Sequence, residues 1–227
     1  MGQEIERKFL TCSDAWRELG TGVLYHQGYL KSDRGHVVTV KTLTSPGRTS
    51  GFIQVASPVF FEPMEFLIPI REATVMLDTL CFDVKDSCQN GVALRSGLLS
   101  KRAGHTIRFR TAGDQGFFTI KTKTVGISRS EFEFDIPKAS AKLLLDRVCE
   151  QPQIEKYRTK IPHGGLVWEV DDFLGENQGL VIAEVELESE SQQINLPDWV
   201  GKEVSGDRRY YNSSLVKMPF KQWTTNL

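Results

Sequence analysis

Charges of one sign recur two residues apart along this chain, and their neighbours are mostly apolar. Acidic pairs stand at Glu4/Glu6, Glu169/Asp171 and Glu184/Glu186, and basic pairs at Arg108/Arg110, Lys121/Lys123 and Lys156/Arg158. The alternate positions hold Ile5, Phe9, Ile107, Phe109, Ile120, Trp168, Val170, Val185 and Leu187. In a strand, successive side chains point to opposite faces. Each segment therefore predicts a β-strand with one charged and one apolar face, and the hairpin order of many such strands predicts an antiparallel sheet or barrel.

The charged face of an ordinary sheet is simply its wet side. Such a face gains from mixing signs, because like charges directly opposite one another are destabilising. Here the signs are sorted strand by strand. Six carboxylates and as many cations on one surface call for counter-charges. Hard divalent cations take oxygen ligands, and Arg and Lys take phosphate oxygens, Arg in bidentate fashion. The residues alone point to a metal-assisted phosphate site.

Composition limits the alternatives. With 227 residues, 25% of them charged, and a formal net charge of −1, the chain offers no reason to expect a nucleic-acid or membrane surface. No run of about 18 apolar residues appears, which argues against a transmembrane helix. Cys12, Cys81, Cys88 and Cys149 show no paired spacing, and no signal-peptide core precedes them, so a cytoplasmic protein with reduced thiols is expected.

The ordered set EIERKFL, QGYL, TIRFR, FTIK, SRSEFE, IEKYR, VWEVD, AEVEL and GDRRYYN resembles the CYTH family, the triphosphate tunnel metalloenzymes. The resemblance runs from one end of the chain to the other, apart from a segment after Leu30. It implies a mainly β (α+β) fold: a closed eight-stranded antiparallel β-barrel whose charged faces point inward as a tunnel, with helices packed outside.

Carried over by position, the resemblance makes Glu4, Glu6, Glu169, Asp171, Glu184 and Glu186 metal-binding and water-positioning carboxylates, for Mg²⁺ or Mn²⁺. Lys8, Arg108, Arg110, Lys121, Lys156 and Arg158 become the cradle of a triphosphate, with Arg129 and Arg209 as further contacts. Tyr29 stands where relatives hydrogen-bond the motif lysine, so Lys8, Tyr29 and Glu186 are the candidates for direct catalytic roles, and Glu186 or Glu4 would orient the attacking water. Glu131, Glu133 and Asp135 receive no role, since barrel rims also carry solvated acids.

The activity implied first is that of the inorganic tripolyphosphatases, hydrolysis of tripolyphosphate to diphosphate and phosphate. The same tunnel supports class IV adenylyl cyclases and thiamine triphosphatases, which hold a nucleoside or thiamine at the mouth. A polyphosphate-binding module is the non-enzymatic alternative, and the acidic pairs speak against it because acids repel a polyanion unless metal intervenes. The expected partner is a small-molecule triphosphate, with no nucleic acid or membrane; a homodimer is compatible with the resemblance.

Residues 36–104 match nothing in this pattern. Gly35-His36 and Gly104-His105 repeat one dipeptide, and removing 36–104 restores a continuous GYLKSDRGHTIRFR. Residues 1–35 and 105–227 would then form one tunnel domain of ordinary size. The segment between them reads as an insertion after the second strand, loop-like or poorly ordered, with a helix at 72–84 and too little sequence for a core of its own.

Overall fold

The computed structural model describes the backbone of residues 2–31, 35–99, 105–122 and 128–226, with the side chains of 2–4, 128–129 and 224–226 outside that description. In chain order the elements are β1 (Gly2–Thr11), β2 (Val23–Tyr29), β3 (Val37–Ser45), β4 (Arg48–Ala56), β5 (Met64–Ile68), α1 (Ile70–Thr79), β6 (Cys81–Gln89), β7 (Val92–Leu99), β8 (Thr106–Ala112), β9 (Gln115–Lys121), β10 (Ser128–Ile136), α2 (Lys138–Val148), β11 (Ile154–His163), β12 (Leu166–Phe173), β13 (Val181–Glu186), β14 (Val200–Glu203) and α3 (Asn212–Leu215). The fold is mainly β, of the α+β type. No described helix is long and apolar enough to cross a membrane.

The larger sheet runs β10-β9-β8-β2-β11-β12-β13-β1-β14, every pair antiparallel, and β10 also pairs with β1 through Ser128–Glu131 against Gly2–Ile5. The period-two pattern explains both faces. Ile107, Phe109, Phe118, Ile120, Phe132 and Phe134 are buried on the outer face, where Ala141, Leu144, Leu145 and Val148 of α2 join the same core. Each such side chain contributes about 1.5–3 kcal/mol of burial. The helix approaches closely because position 116 has no side chain: a Cβ there would lie 2.8 Å from the Ile136 carbonyl oxygen and 2.9 Å from Ala141 Cβ. Phe9, Trp168 and Trp199 anchor a second outer core, with ring centroids 5.5 and 5.9 Å apart. The β11–β12 hairpin turns at Gly164 and Gly165, both in the left-handed region (φ 60° and 80°), which glycine adopts without steric cost.

Residues 37–99 correct the expectation of a loop. They form a second antiparallel sheet, ordered β5-β4-β3-β7-β6, with α1 packed on one face. Val38, Val40, Ile53, Val55, Phe66 and Ile68 of the strands and Ala73, Met76 and Leu77 of the helix are all buried. The segment has a core because VVTVKTLTS and GFIQVA alternate apolar and polar residues with the period of a strand. The expected helix is displaced as well: it covers Ile70–Thr79, and residues from Cys81 onward form a strand instead.

The two sheets keep one pairing register on either side of residues 32–34 and 100–104, which lie outside the described residues. Tyr29 of β2 pairs with Arg108 of β8, and Val38 of β3 pairs with Leu99 of β7. Nine positions separate the paired residues along each arm, so β3 and β7 resume the pairing that β2 and β8 began.

Candidate active site

Side chains from eight strands, β1, β2 and β8–β13, face one cavity of about 530 Å³, with Tyr211, Asn212 and Ser213 at its wall. Charge is sorted around it. β8, β9 and β11 contribute Arg108, Arg110, Lys121, Lys156, Arg158 and Lys160, while β1, β12 and β13 contribute Glu6 with Lys8, Glu169, and Glu184 with Glu186. All of these follow from strand alternation, since their neighbours Phe109, Trp168 and Val185 fill the outer cores.

Arg158 is the hub of the acidic side. Its Nε donates to Asp171 Oδ1 (2.6 Å), and its Nη2 donates to Asp171 Oδ2 (2.6 Å) and Glu184 Oε2 (2.7 Å); Nη1 reaches Glu169. Lys8 Nζ lies 3.0 Å from Glu6 Oε1 and also bonds Glu184. On the opposite side Arg108 and Arg110 donate to Glu133 (3.1 and 2.9 Å), and Lys121 pairs with Glu131 at 2.6 Å. The Nε groups of Arg108 and Arg110 are buried and have no hydrogen-bond partner among the described residues. Tyr25 lies between two guanidinium groups, its ring centroid 5.2 Å from Arg110 and 5.4 Å from Arg158.

Burial and neighbours set the protonation states. Burial pulls the Arg158 and Lys8 cations toward neutrality, but Asp171 and Glu184 around Arg158, and Glu184 and Glu6 around Lys8, outweigh it and hold both charged. Burial likewise opposes ionisation of Glu184, yet Lys8 and Arg158 keep it well below the usual carboxylate range. Lys156 behaves differently: burial and then the adjacent Arg158 push it down to about 8, although Asp171 and Glu184 act the other way.

The structure brings together Glu6, Lys8, Tyr29, Arg108, Arg110, Lys121, Lys156, Arg158, Glu169, Glu184 and Glu186. Two expected residues lie elsewhere. Asp171 is fully buried and does not line the cavity; its carboxylate is paired with Arg158 and Lys156. Arg209 is exposed, hydrogen-bonded to Asp207 and set over the rings of Tyr210 and Trp223, and does not line the cavity. Gln27 Nε2 donates a hydrogen bond to the Tyr29 hydroxyl (3.2 Å). Glu4 and Arg129 are backbone partners across β1 and β10, but their side chains, like Lys123, lie outside the described residues.

Sequence reasoning missed Glu131, Glu133, Lys160 and Tyr25. The signal was present for the first three: in SEFEF the glutamates oppose buried Phe132 and Phe134, and Lys160 continues the alternation of Lys156 and Arg158.

Two acid pairs bear on metal binding. Glu6 is the direct cross-strand partner of Glu186, and Glu169 of Glu184, an arrangement that repels unless a cation lies between. Among the described residues no three carboxylate, cysteine or histidine side chains form a finished cage. Glu169 is paired with Arg158 and Lys160, and Glu6 and Glu184 with Lys8; Glu6, Glu184 and Glu186 present carboxylate oxygens, the donor type that a hard divalent ion takes.

A family profile and several known proteins resemble this chain. The CYTH domain profile matches residues 97–217. An inorganic triphosphatase of Acetivibrio thermocellus is 36% identical over 223 residues, spanning 98% of this chain and 99% of that protein. An inorganic triphosphatase of Nitrosomonas europaea is 36% identical over 132 residues, 56% of this chain and 85% of that protein. A crystal structure of an inorganic triphosphatase covers 95% of both chains at 24% identity with a TM-score of 0.47.

Proposed function

This chain belongs to the CYTH domain family, and we propose that it hydrolyses inorganic tripolyphosphate to diphosphate and phosphate inside a closed eight-stranded barrel. The observation that carries this reading is the sorted cavity: eight strands turn cations and carboxylates toward one space. Closure is supported by the β10–β1 pairing, which links the two ends of the strand order. The relatives named inorganic triphosphatase support the substrate.

Arg108, Arg110, Lys121 and Lys156 bind the phosphate chain, the two arginines offering their unpartnered Nε groups as well as their forks. Glu131 and Glu133 hold these cations in place until the substrate displaces them. Glu6 and Glu186, with Glu4 and Glu184, would hold Mg²⁺ or Mn²⁺. Such an ion supplies charge neutralisation at the phosphoryl oxygens and an acidified water. Lys8, kept protonated between Glu6 and Glu184, donates a hydrogen bond to the terminal phosphate. Glu186, the exposed member of the acidic set, takes the proton of the attacking water as the bond to the leaving diphosphate breaks. Because the cradle makes no demand on a nucleoside, the cytoplasmic substrate is the inorganic chain.

The test is side-by-side phosphate release from tripolyphosphate, ATP and thiamine triphosphate. Tripolyphosphate should be fastest, with release abolished by a chelator and restored by Mg²⁺ or Mn²⁺. Cyclic AMP formation from ATP exceeding tripolyphosphate hydrolysis would establish a cyclase instead, and tight binding without turnover a polyphosphate-binding module.

The same proposal assigns catalysis to residues 1–35 and 105–227. The Leu30 N–H already donates to the Ile107 carbonyl, so excision of 36–104 leaves seven residues, 31–35 with 105 and 106, between that pair across a ladder that is otherwise intact. The Nitrosomonas relative, of which 132 residues make up 85%, is shorter than this chain by about the length of the segment. Excision should leave a folded enzyme with kcat/KM within about threefold of the full chain, since loop closure costs vary slowly with length. A soluble but inactive product, or one that fails to fold, would contradict this.

A further inference from the structure

We propose that Tyr25 and Phe117 are positioning residues for Arg110, two rings that keep its guanidinium at the cavity wall while a phosphate is captured. The role rests on the reading of the cavity as a phosphate cradle. The Arg110 guanidinium carbon lies 5.2 Å from the ring centroid of Tyr25 on β2 and 4.6 Å from that of Phe117 on β9. A cation within about 6 Å of an aromatic centroid is attracted to the ring face, and Arg makes such contacts more often than Lys.

Packing does not account for these rings. Among the described residues neither belongs to a buried core, whereas Phe118, the neighbour of Phe117, does. Alternation along β9 turns Phe117, Thr119 and Lys121 to the cavity side and Phe118 and Ile120 to the core. A phenylalanine thus stands in a row whose other members are polar. Its direct cross-strand partner is Arg110, and that of Thr119 is Arg108. One hairpin therefore gives Arg108 a hydroxyl, which accepts from its Nη2 at 3.1 Å, and gives Arg110 a ring.

The difference matters when an anion arrives. Among the described residues Glu133 is the only hydrogen-bonding partner of Arg110, and Arg108 and Thr119 share it. Burial, then Arg108, pull the Arg110 cation toward neutrality, and Glu133 opposes them. A phosphate that displaces Glu133 removes the one hydrogen bond that holds Arg110, while Arg108 keeps Thr119. Rings are not displaced in this way. They bear on the face of a guanidinium and leave its N–H edge to the phosphate. A group ordered beforehand also loses less freedom on binding, which raises affinity.

The experiment compares the full chain with Phe117→Leu, Tyr25→Leu and Tyr25→Phe, using tripolyphosphate and Mg²⁺. Each leucine variant should raise KM about tenfold. Turnover at saturation should stay within about threefold, because Arg110 lies across the cavity from the acidic side. Tyr25→Phe keeps the ring and should recover most of the affinity that Tyr25→Leu loses. Tyr25 also lies 5.4 Å from Arg158, so Phe117 is the cleaner probe of Arg110. In an Arg110→Ala background, Phe117→Leu should raise KM by less than about twofold, as expected of a residue that acts through the arginine. A second measurement needs no turnover: the Nε–H resonance of Arg110 in a proton–nitrogen correlation spectrum, assigned by its loss in Arg110→Ala. Ring currents should displace it in the wild type and in Tyr25→Phe, and less so in either leucine variant. Should one leucine variant fail to fold, the other decides. An unmoved KM in both leucine variants, a loss in Tyr25→Phe as large as in Tyr25→Leu, additive effects of Phe117→Leu and Arg110→Ala, or an undisplaced resonance overturns the positioning role and leaves the cradle standing. A chain that neither binds nor turns over tripolyphosphate overturns the cradle, and the positioning role with it.

Discussion

Arg158→Met is expected to cost both catalysis and stability, and more of each than any other single change in the cavity. The guanidinium neutralises Asp171, Glu169 and Glu184 together, and Asp171 has no access to water. Removing one partner of a buried ion pair leaves an uncompensated charge and typically costs about 3–5 kcal/mol. That is a large share of the ~5–15 kcal/mol that holds a domain folded. Loss of the group that orders Glu169 and Glu184 at the cavity should lower kcat by roughly 10²–10³ as well. Arg158→Lys restores the charge without the fork and should fall between. Calorimetric Tm and tripolyphosphate turnover measure the two effects; a variant with near wild-type Tm and activity would show that Arg158 is not the hub.

Glu186→Gln should abolish most turnover while leaving stability unchanged, and Glu6→Gln should lose as much turnover and also lower the Tm, because Glu6 is an ion-pair partner of buried Lys8. The two are direct cross-strand partners, so neutralising either removes a like-charge contact, which at Glu6 is set against the lost pairing with Lys8. Turnover should drop about 10²–10³-fold, and the metal concentration needed for half-maximal rate should rise. Glu184→Gln contrasts with Glu186→Gln in the same way. It should slow the reaction to a similar extent but also lower the Tm, because Glu184 is the shared partner of Lys8 and Arg158. If Glu6→Gln and Glu186→Gln retain rates within about threefold of wild type, the carboxylate pair does not hold the metal.

Strand alternation made the cavity legible before any coordinates. A pleated strand has a strict period of two, so a charge at Arg108 fixes the direction of Arg110, and Trp168 fixes that of Glu169. Depth is not encoded in that way. Glu169 and Asp171 share a strand and a face, yet Asp171 is placed opposite Arg158 by the β11–β12 register and sinks beneath the surface that Glu169 helps to form. Arg209 belongs to a short 3₁₀ turn, where alternation has no hold, and its neighbour Asp207 captures it. The second sheet was overlooked for another reason: its strands are built from Val, Thr and Leu without the sorted charges that marked the others, although their apolar spacing was already that of a half-buried sheet.

The matched arms between the sheets have a practical meaning for protein engineering. Because β3 and β7 leave β2 and β8 over equal spans, the enzyme carries a socket for any guest whose first and last strands are antiparallel neighbours. Lengthening both arms equally would raise such a guest on a taller stem. Lengthening one alone would slip the ladder by a residue and turn every side chain of the guest over.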